Sequence, residues 1–365
     1  MRSQVWRNFD YALFSVVLLL SIFSVAMIYS AVAGNISLAS HPQRQALYVG
    51  IGIVVILIAT AIDYHYWLSL STPLYVVTIG FLIITFVAAK ATFGAARWIE
   101  TGIGFFIQPA ELAKITVIIT LAKYFSQHQD EPRNWRWIIM SMVFTAPILV
   151  FIYLQPNLST TIVIAVLWFA TIWISGLPPK YIVFFIVGAL VLAVVIFPFI
   201  EPYQQKRVFN FLVPDPNATH GDTYNVDQAL ITIGSGGWFG QGYQHGTQVQ
   251  LHFLKVRHTD FIFAAMAEEF GFVGTVIVVG LLLFVVFRCF RAAHRAPDMF
   301  GSLIAYGYGV LMLFQMSVNI GVNLNVIPVT GLTLPFISYG GSSMVSLLLG
   351  VGLVESVVAR QKTVT

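Results

Sequence analysis

The chain runs in long apolar blocks separated by shorter polar stretches, and the blocks carry no amphipathic period. A helix needs about 20 apolar residues to cross a bilayer. On that reading the pattern predicts ten spans: Tyr11–Ala31, Ala46–Ile62, Pro73–Ala89, Ala110–Tyr124, Trp137–Tyr153, Ser159–Ile174, Tyr181–Phe197, Phe261–Phe287, Gly301–Ile320 and Ile337–Ala359. Helices are expected because the hydrocarbon layer has no water to satisfy backbone groups. The eighth block is longer than a bilayer requires and should tilt or protrude. The first block follows Arg2 and Arg7 and ends in Ala31-Val32-Ala33, a small-x-small sequence like a signal-peptidase site. Signal cores run only about 7–15 residues, so an uncleaved first helix is the preferred reading and a cleaved signal the alternative.

The connections are unequal. The one between the seventh and eighth spans, about Pro198 to Asp260, holds the glycine clusters Gly234-Ser235-Gly236-Gly237 and Gly240-Gln241-Gly242. A connection this long is either functional or disordered. Its aromatic residues, among them Phe209, Tyr224, Trp238 and Tyr243, argue for order, partly within the headgroup layer. A second connection, Lys90 to Pro109, falls on the same side. Lys and Arg concentrate on the other side: Arg2, Arg7, Arg133, Arg136, Lys180, Arg288, Arg291, Arg295, Arg360 and Lys362. The positive-inside rule makes that side, with both termini, cytoplasmic, and makes the long loop extracellular.

Composition sharpens this picture. Of 365 residues, 58% are hydrophobic and 9% charged, against about 25% charged in soluble domains. The expectation is one all-α, polytopic membrane domain over residues 1–365, without internal repeats. The net charge of +4 is dispersed and forms no basic cluster for nucleic acid. The single cysteine, Cys289, excludes an intrachain disulfide and a multi-cysteine metal site. Gly234-Ser235-Gly236-Gly237 lacks the Gly-Lys-Ser/Thr ending of a phosphate-cradling loop, so no nucleotide is expected, and no haem either.

Ionisable residues at membrane depth are costly, so each is a functional candidate. Glu111 and Lys114 open the fourth span three residues apart and share a helix face. They either neutralise each other inside the bundle or present Lys114 to an anionic substrate. Arg257-His258-Thr259-Asp260 ends the long loop where the eighth span begins. Asp260 there is either a helix cap, or a general base or the anchor of a divalent cation beside phosphate. Glu268 lies eight residues on, within about 80° of Asp260 on an ideal helix. Lys206 and Arg207, beside aromatics, fit either lipid headgroups in general or a lipid pyrophosphate. Pro335-Phe336-Ile337-Ser338-Tyr339-Gly340-Gly341-Ser342-Ser343 is irregular backbone at depth, expected to line a cavity with Ser338.

Several long motifs occur in order: Arg97-Trp98-Ile99, Gln108-Pro109-Ala110-Glu111-Leu112-Ala113-Lys114, Gln155-Pro156-Asn157-Leu158, Ile233-Gly234-Ser235-Gly236-Gly237, Gly246-Thr247-Gln248, Arg257-His258-Thr259-Asp260-Phe261, Ala267-Glu268-Glu269, Asn319-Ile320-Gly321 and the Pro335–Ser343 segment. Together they resemble the SEDS family (shape, elongation, division and sporulation) over nearly the whole chain, its RodA elongation branch more than its FtsW division branch. The resemblance implies ten helices and a peptidoglycan glycosyltransferase that polymerises lipid II onto a lipid-linked glycan strand. It implies work on the outer face of the bacterial cytoplasmic membrane, beside a class B penicillin-binding transpeptidase. It places the family's essential aspartate on Asp260, its fourth-helix pair on Glu111 and Lys114, and its outer-loop arginine on Arg97. Two positions depart from the family: Asn157-Leu158-Ser159 where an aspartate is common, and Lys255-Val256 where Pro-Glu is common. Asp260 is thus the main catalytic candidate, as base or as ligand of Mg or Mn. Arg97, Glu111, Lys114, Lys206, Arg207, His258, Thr259, Glu268 and Ser338 are the substrate-binding candidates. A lipid II flippase and a non-catalytic scaffold for the transpeptidase are the rival readings.

Overall fold

The computed structural model describes residues 2–88, 98–100, 106–214 and 221–361. The described residues are mostly helical: α1 (Arg2–Arg7), α2 (Tyr11–Ala31), α3 (His41–Ala61), α4 (Tyr64–Ala88), α5 (Pro109–Gln127), α6 (Trp135–Leu154), α7 (Leu158–Ile174), α8 (Pro179–Ile196), α9 (Pro202–Leu212), α10 (Asp222–Ser235), α11 (Thr247–Gln250), α12 (Ile262–Arg295), α13 (Met299–Asn323) and α14 (Gly341–Val358). Two short strands, β1 (Ile99–Glu100) and β2 (Phe106–Ile107), pair antiparallel just before α5.

The expected spans correspond in order to α2 to α8, then α12, α13 and α14, and α12 alone is broken within its span. Among the described residues, eight helices are long and apolar enough to cross a membrane. Two more expected spans fall outside that group for visible reasons: α7 has 17 residues, and α5 carries Glu111, Lys114 and Lys123. The chain is a multi-pass membrane protein. Boundaries moved where proline misled the reading. The third span was expected to start at Pro73, yet α4 runs through Pro73 from Tyr64, as packed membrane helices allow. The last span was expected from Ile337, and its helix starts at Gly341.

The eighth span does not simply protrude. Gly271 has φ 66° and ψ −169°, which breaks α12 into two segments. The long loop packs into that break. Gln241 N donates to Glu268 O at 2.9 Å and Gly242 N to Glu269 O at 3.0 Å, while Phe272 N donates to Gly237 O at 2.8 Å. A Cβ on Gly240 would lie 2.2 Å from Glu269 O, and one on Gly271 2.3 Å from Gly240 N. Both positions need glycine for this approach. The glycine clusters are therefore the seat of the loop on α12.

Burial is uneven. Within their most apolar 18-residue windows, α13 is 67% and α14 72% buried, whereas none of α8 is. Small residues allow the close contact of α14 with α3, where a Cβ on Gly52 would meet Leu348 and one on Gly352 would meet Ala59. At the end that holds the termini, Asp10 pairs with Arg288, and Asp10 N donates to Glu355 Oε2 at 3.0 Å. These bonds tie the start of α2 to α12 and α14. The opposite end carries the loop, α9 to α11, and the candidate residues.

Candidate active site

Asp260 sits in a turn one residue before the N-cap of α12. That N-cap is Phe261, which makes no side-chain cap bond. At the helix start, Ala264 N donates to Asn323 and Ala265 N to Phe261 O, and no backbone N–H of α12 among the described residues donates to the Asp260 carboxylate, so it does not cap the helix. The backbone is instead gripped from α13. Asn319 Nδ2 and Asn323 Nδ2 donate to the Asp260 carbonyl at 3.1 and 2.9 Å. Asn323 Oδ1 accepts from Ala264 N at 3.1 Å, and Asn319 Nδ2 also reaches Leu332 O at 2.8 Å. Buried amides placed in this way fix the turn and leave the carboxylate for another task.

The segment from Pro328 to Gly340 straps over this turn. Ser338 Oγ donates to Thr259 O at 2.8 Å and accepts from Leu334 N at 2.8 Å. Tyr339 N donates to His258 O at 2.9 Å. Gly331, with φ +76°, faces the carboxylate closely: a Cβ there would lie 3.8 Å from Asp260 Oδ2. Val256 at φ 53° and Phe336 at φ 60° are held in the left-handed region on either side. Such conformations cost about 1–3 kcal/mol and persist only where neighbours impose them.

Asp260 is half-buried, with its carboxylate turned inward beneath the strap. Loss of solvent lifts the Asp260 carboxyl from its ordinary value to about 6; Arg207 and the Thr259 hydroxyl pull it down, and Asp222 pushes it up. Arg207, on α9, bonds Asp222 Oδ2 through Nε at 3.0 Å and reaches Val329 O through Nη1 at 3.4 Å. Its guanidinium lies 5.7 Å from the Tyr203 ring centroid, and the Tyr203 hydroxyl donates to Pro156 O at 2.6 Å. Burial depresses His258 to about 4, with His41 and Arg257 acting in the same direction, so the ring is neutral at neutral pH. His258 meets the His41 ring edge-on at 5.4 Å.

Arg257 was expected to flank Asp260, but its side chain turns to α2. Nε donates to Ala31 O at 2.5 Å and Nη1 to Leu254 O at 3.3 Å. A buried cation at a helix C-terminus is favoured by the helix dipole, so this arginine holds the loop to α2.

Glu111 and Lys114 form a buried ion pair at 2.8 Å in the first turn of α5. No hydroxyl or carbonyl among the described residues supplements Glu111 Oε2 or Lys114 Nζ. The same helix end is tied to α14 by Gln108 N, which donates to Ser342 Oγ at 3.0 Å. Thr333 and Ser343 hydroxyls, 3.0 Å apart, link α14 to the strap.

The family model for cell cycle proteins of the FtsW, RodA and SpoVE type matches residues 10–363. The chain belongs to this family. It is 35% identical over 317 residues to the probable peptidoglycan glycosyltransferase FtsW of Aliivibrio salmonicida, covering 85% of this chain and 78% of that protein. It is 33% identical over 358 residues to the peptidoglycan glycosyltransferase MrdB of Escherichia coli K12, covering 97% and 95%. A chain from a peptidoglycan synthase complex that coordinates polymerization and crosslinking superposes with a TM-score of 0.83 at 29% identity, covering 97% of this chain and 99% of that one.

Within this family member, the structure gathers Asp260, Arg207, His258, Thr259 and Ser338 around one strap, and ties the Glu111–Lys114 helix end to that strap through Ser342 and Ser343. Lys206 is exposed and makes no ion pair among the described residues. Arg97 lies outside the described residues. Glu268 was expected to share a face with Asp260, but Asp260 precedes the helix. The Glu268 carboxylate instead accepts from Gln248 N at 2.8 Å and Val249 N at 3.0 Å, at the start of α11. Glu269 takes the Ser30 hydroxyl on α2. Both glutamates fasten the loop. Three residues of the site had no assigned role in the sequence reading. Asn319 and Asn323, four apart in an apolar span, carried a legible signal. Asp222, the partner of Arg207, carried none.

Proposed function

We propose that this protein joins lipid-linked peptidoglycan units at the mouth framed by Asp260, Arg207 and the Pro328–Gly340 strap. The chain is a peptidoglycan glycosyltransferase, as its relatives are named. The observation that carries the site is Asp260: a carboxylate freed from capping, with its backbone held by two amides and a guanidinium nearby.

In the reaction, a sugar hydroxyl of one lipid-linked chain attacks the anomeric carbon of the other with inversion. Asp260 accepts the hydroxyl proton as the new C–O bond forms. The electron pair of the broken anomeric C–O bond leaves with the polyprenyl pyrophosphate. Pyrophosphate is already a good leaving group, so charge stabilisation matters more than protonation. Arg207 supplies that charge from α9, with Arg97 from the preceding loop, and Lys114 joins when the substrate competes with Glu111 for it. His258, neutral, serves as a hydrogen-bonding wall, and Ser338 and Thr259 hold the turn.

The donor set does not suit a resident metal. Among the described residues no three His, Cys, Asp or Glu side chains converge, and Arg207 supplies the positive charge beside Asp260 and Asp222. A Mg or Mn ion arriving on the pyrophosphate would need only one protein carboxylate, Asp260.

The distribution of Lys and Arg supports cytoplasmic termini and a site on the outer face of the cytoplasmic membrane. A class B penicillin-binding transpeptidase as partner is supported by the likeness to the synthase complex. A role in elongation is supported by the likeness to the rod shape determining protein RodA of Thermus thermophilus, whose chain superposes with a TM-score of 0.73 at 29% identity.

The pH profile tests the role of Asp260. With a carboxyl near 6, the base is mostly ionised at neutral pH and protonated below. The rate of lipid II polymerisation by purified protein should be level above pH 7 and fall about tenfold by pH 5. A rate unchanged down to pH 4.5 would remove Asp260 as the base.

A further inference from the structure

At the end opposite the candidate active site, a bay opens to the side between α4, α5 and α6. It consists of two adjoining cavities of about 440 and 560 Å³, which share Tyr124, His128 and Phe144. Its rim is basic. Among the described residues Lys123 Nζ donates only to the Thr72 hydroxyl, at 3.0 Å, and Arg136 makes no ion pair. Glu131 is the one carboxylate lining the bay, and it leaves both cations unpaired. His128 is fixed by Nδ1, which donates to Tyr124 O at 2.7 Å, so Nε2 remains available.

Behind the rim the lining turns apolar. Tyr75, Val76 and Phe144 line the lateral wall, and Val76 and Phe144 are exposed to the lipid side. A basic rim at the end of a span, above an apolar side wall open to lipid, matches a phospholipid: anionic headgroup first, acyl chain below.

We propose that this bay binds one anionic glycerophospholipid of the leaflet on the side of the chain termini. Its phosphate lies between Lys123 and Arg136, and one acyl chain runs along Tyr75, Val76 and Phe144. The proposal does not depend on the glycosyl-transfer site, which lies at the other end of the bundle. Nothing in the proposed reaction uses Lys123, His128 or Arg136.

Delipidated protein exchanged into an equal mixture of phosphatidylglycerol and phosphatidylethanolamine tests this by native mass spectrometry. The parent should retain phosphatidylglycerol in preference and melt higher with it. Lys123→Gln with Arg136→Gln should lower that retention about thirtyfold, and Lys180→Gln, a basic position at the same end but outside the bay, should leave it unchanged. Melting in phosphatidylethanolamine alone should be the same for all three proteins. Equal retention by parent and double variant would overturn the proposal, as would an equal loss in Lys180→Gln. So would inorganic phosphate in lipid-free micelles raising the melting temperature as much as phosphatidylglycerol does, because a free phosphate site would then explain the bay.

Discussion

Purified Asp260→Asn should polymerise lipid II about 10²–10⁴-fold more slowly than the parent while melting at the same temperature or higher. The sign of the stability effect follows from burial. The folded state holds this carboxyl above its ordinary value, at about 6. Ionised Asp260 is therefore a burden on folding at neutral pH, present above the folded value and relieved as the group protonates. An amide of the same shape carries no charge and removes that burden. The backbone bonds from Asn319 and Asn323 go to the residue 260 carbonyl and survive the substitution. Capping is no confounder, because the Asp260 side chain caps nothing. A cation held on the pyrophosphate makes a separable prediction: excess Mg²⁺ or Mn²⁺ partly restores a variant whose defect is weak metal binding and leaves a missing base unrepaired. Wild-type rates from Asp260→Asn would take the active site away from this turn.

Lys114→Ala should have the largest effect on stability. It strands the Glu111 carboxylate in a buried position where Lys114 is its ion-pair partner. Breaking one half of a buried pair costs about 3–5 kcal/mol. Replacing both halves with neutral side chains of similar size is often neutral or stabilising. Glu111→Gln with Lys114→Met should therefore recover most of the melting temperature lost in Lys114→Ala. An apolar pair would hold the helix end equally well, so a charged pair at this depth needs a further task. The task proposed for it is charge on the leaving pyrophosphate. The stable double variant should polymerise lipid II no faster than Lys114→Ala. Polymerisation at the parent rate in the double variant would reduce the pair to a structural element.

The helices were legible because the bilayer imposes one solution on an apolar block, and each expected span corresponds to one labelled helix, α12 with its break included. Local backbone rules were weaker guides. Pro73 reads as a boundary in water but lies within α4, where neighbouring helices support the chain. Gly271 reads as an ordinary small residue in a span, yet it breaks α12 because the loop strand at Gly240 packs against it. That contact joins positions about thirty residues apart, which no local pattern encodes.

The site was legible in its residues more than in its contacts. Asp260, Arg207 and Ser338 could be chosen from residue type and depth. Which way a side chain turns could not: Arg257 serves α2 and Glu268 serves α11, although both neighbour Asp260 in sequence. Helical projection failed for Glu268 because Asp260 is not in the helix. Asn319 and Asn323 are polar residues four apart, but the carbonyl they hold belongs to the turn before α12.

On the proposed mechanism this chain makes glycan polymer without a second glycosyltransferase. Purified protein reconstituted in vesicles with labelled lipid II, free of any other glycosyltransferase, tests it most directly. The account predicts a ladder of glycan strands from the parent and none from Asp260→Asn. Lipid II that crosses the bilayer intact, with no polymer formed by the parent, would contradict the account and identify a transporter.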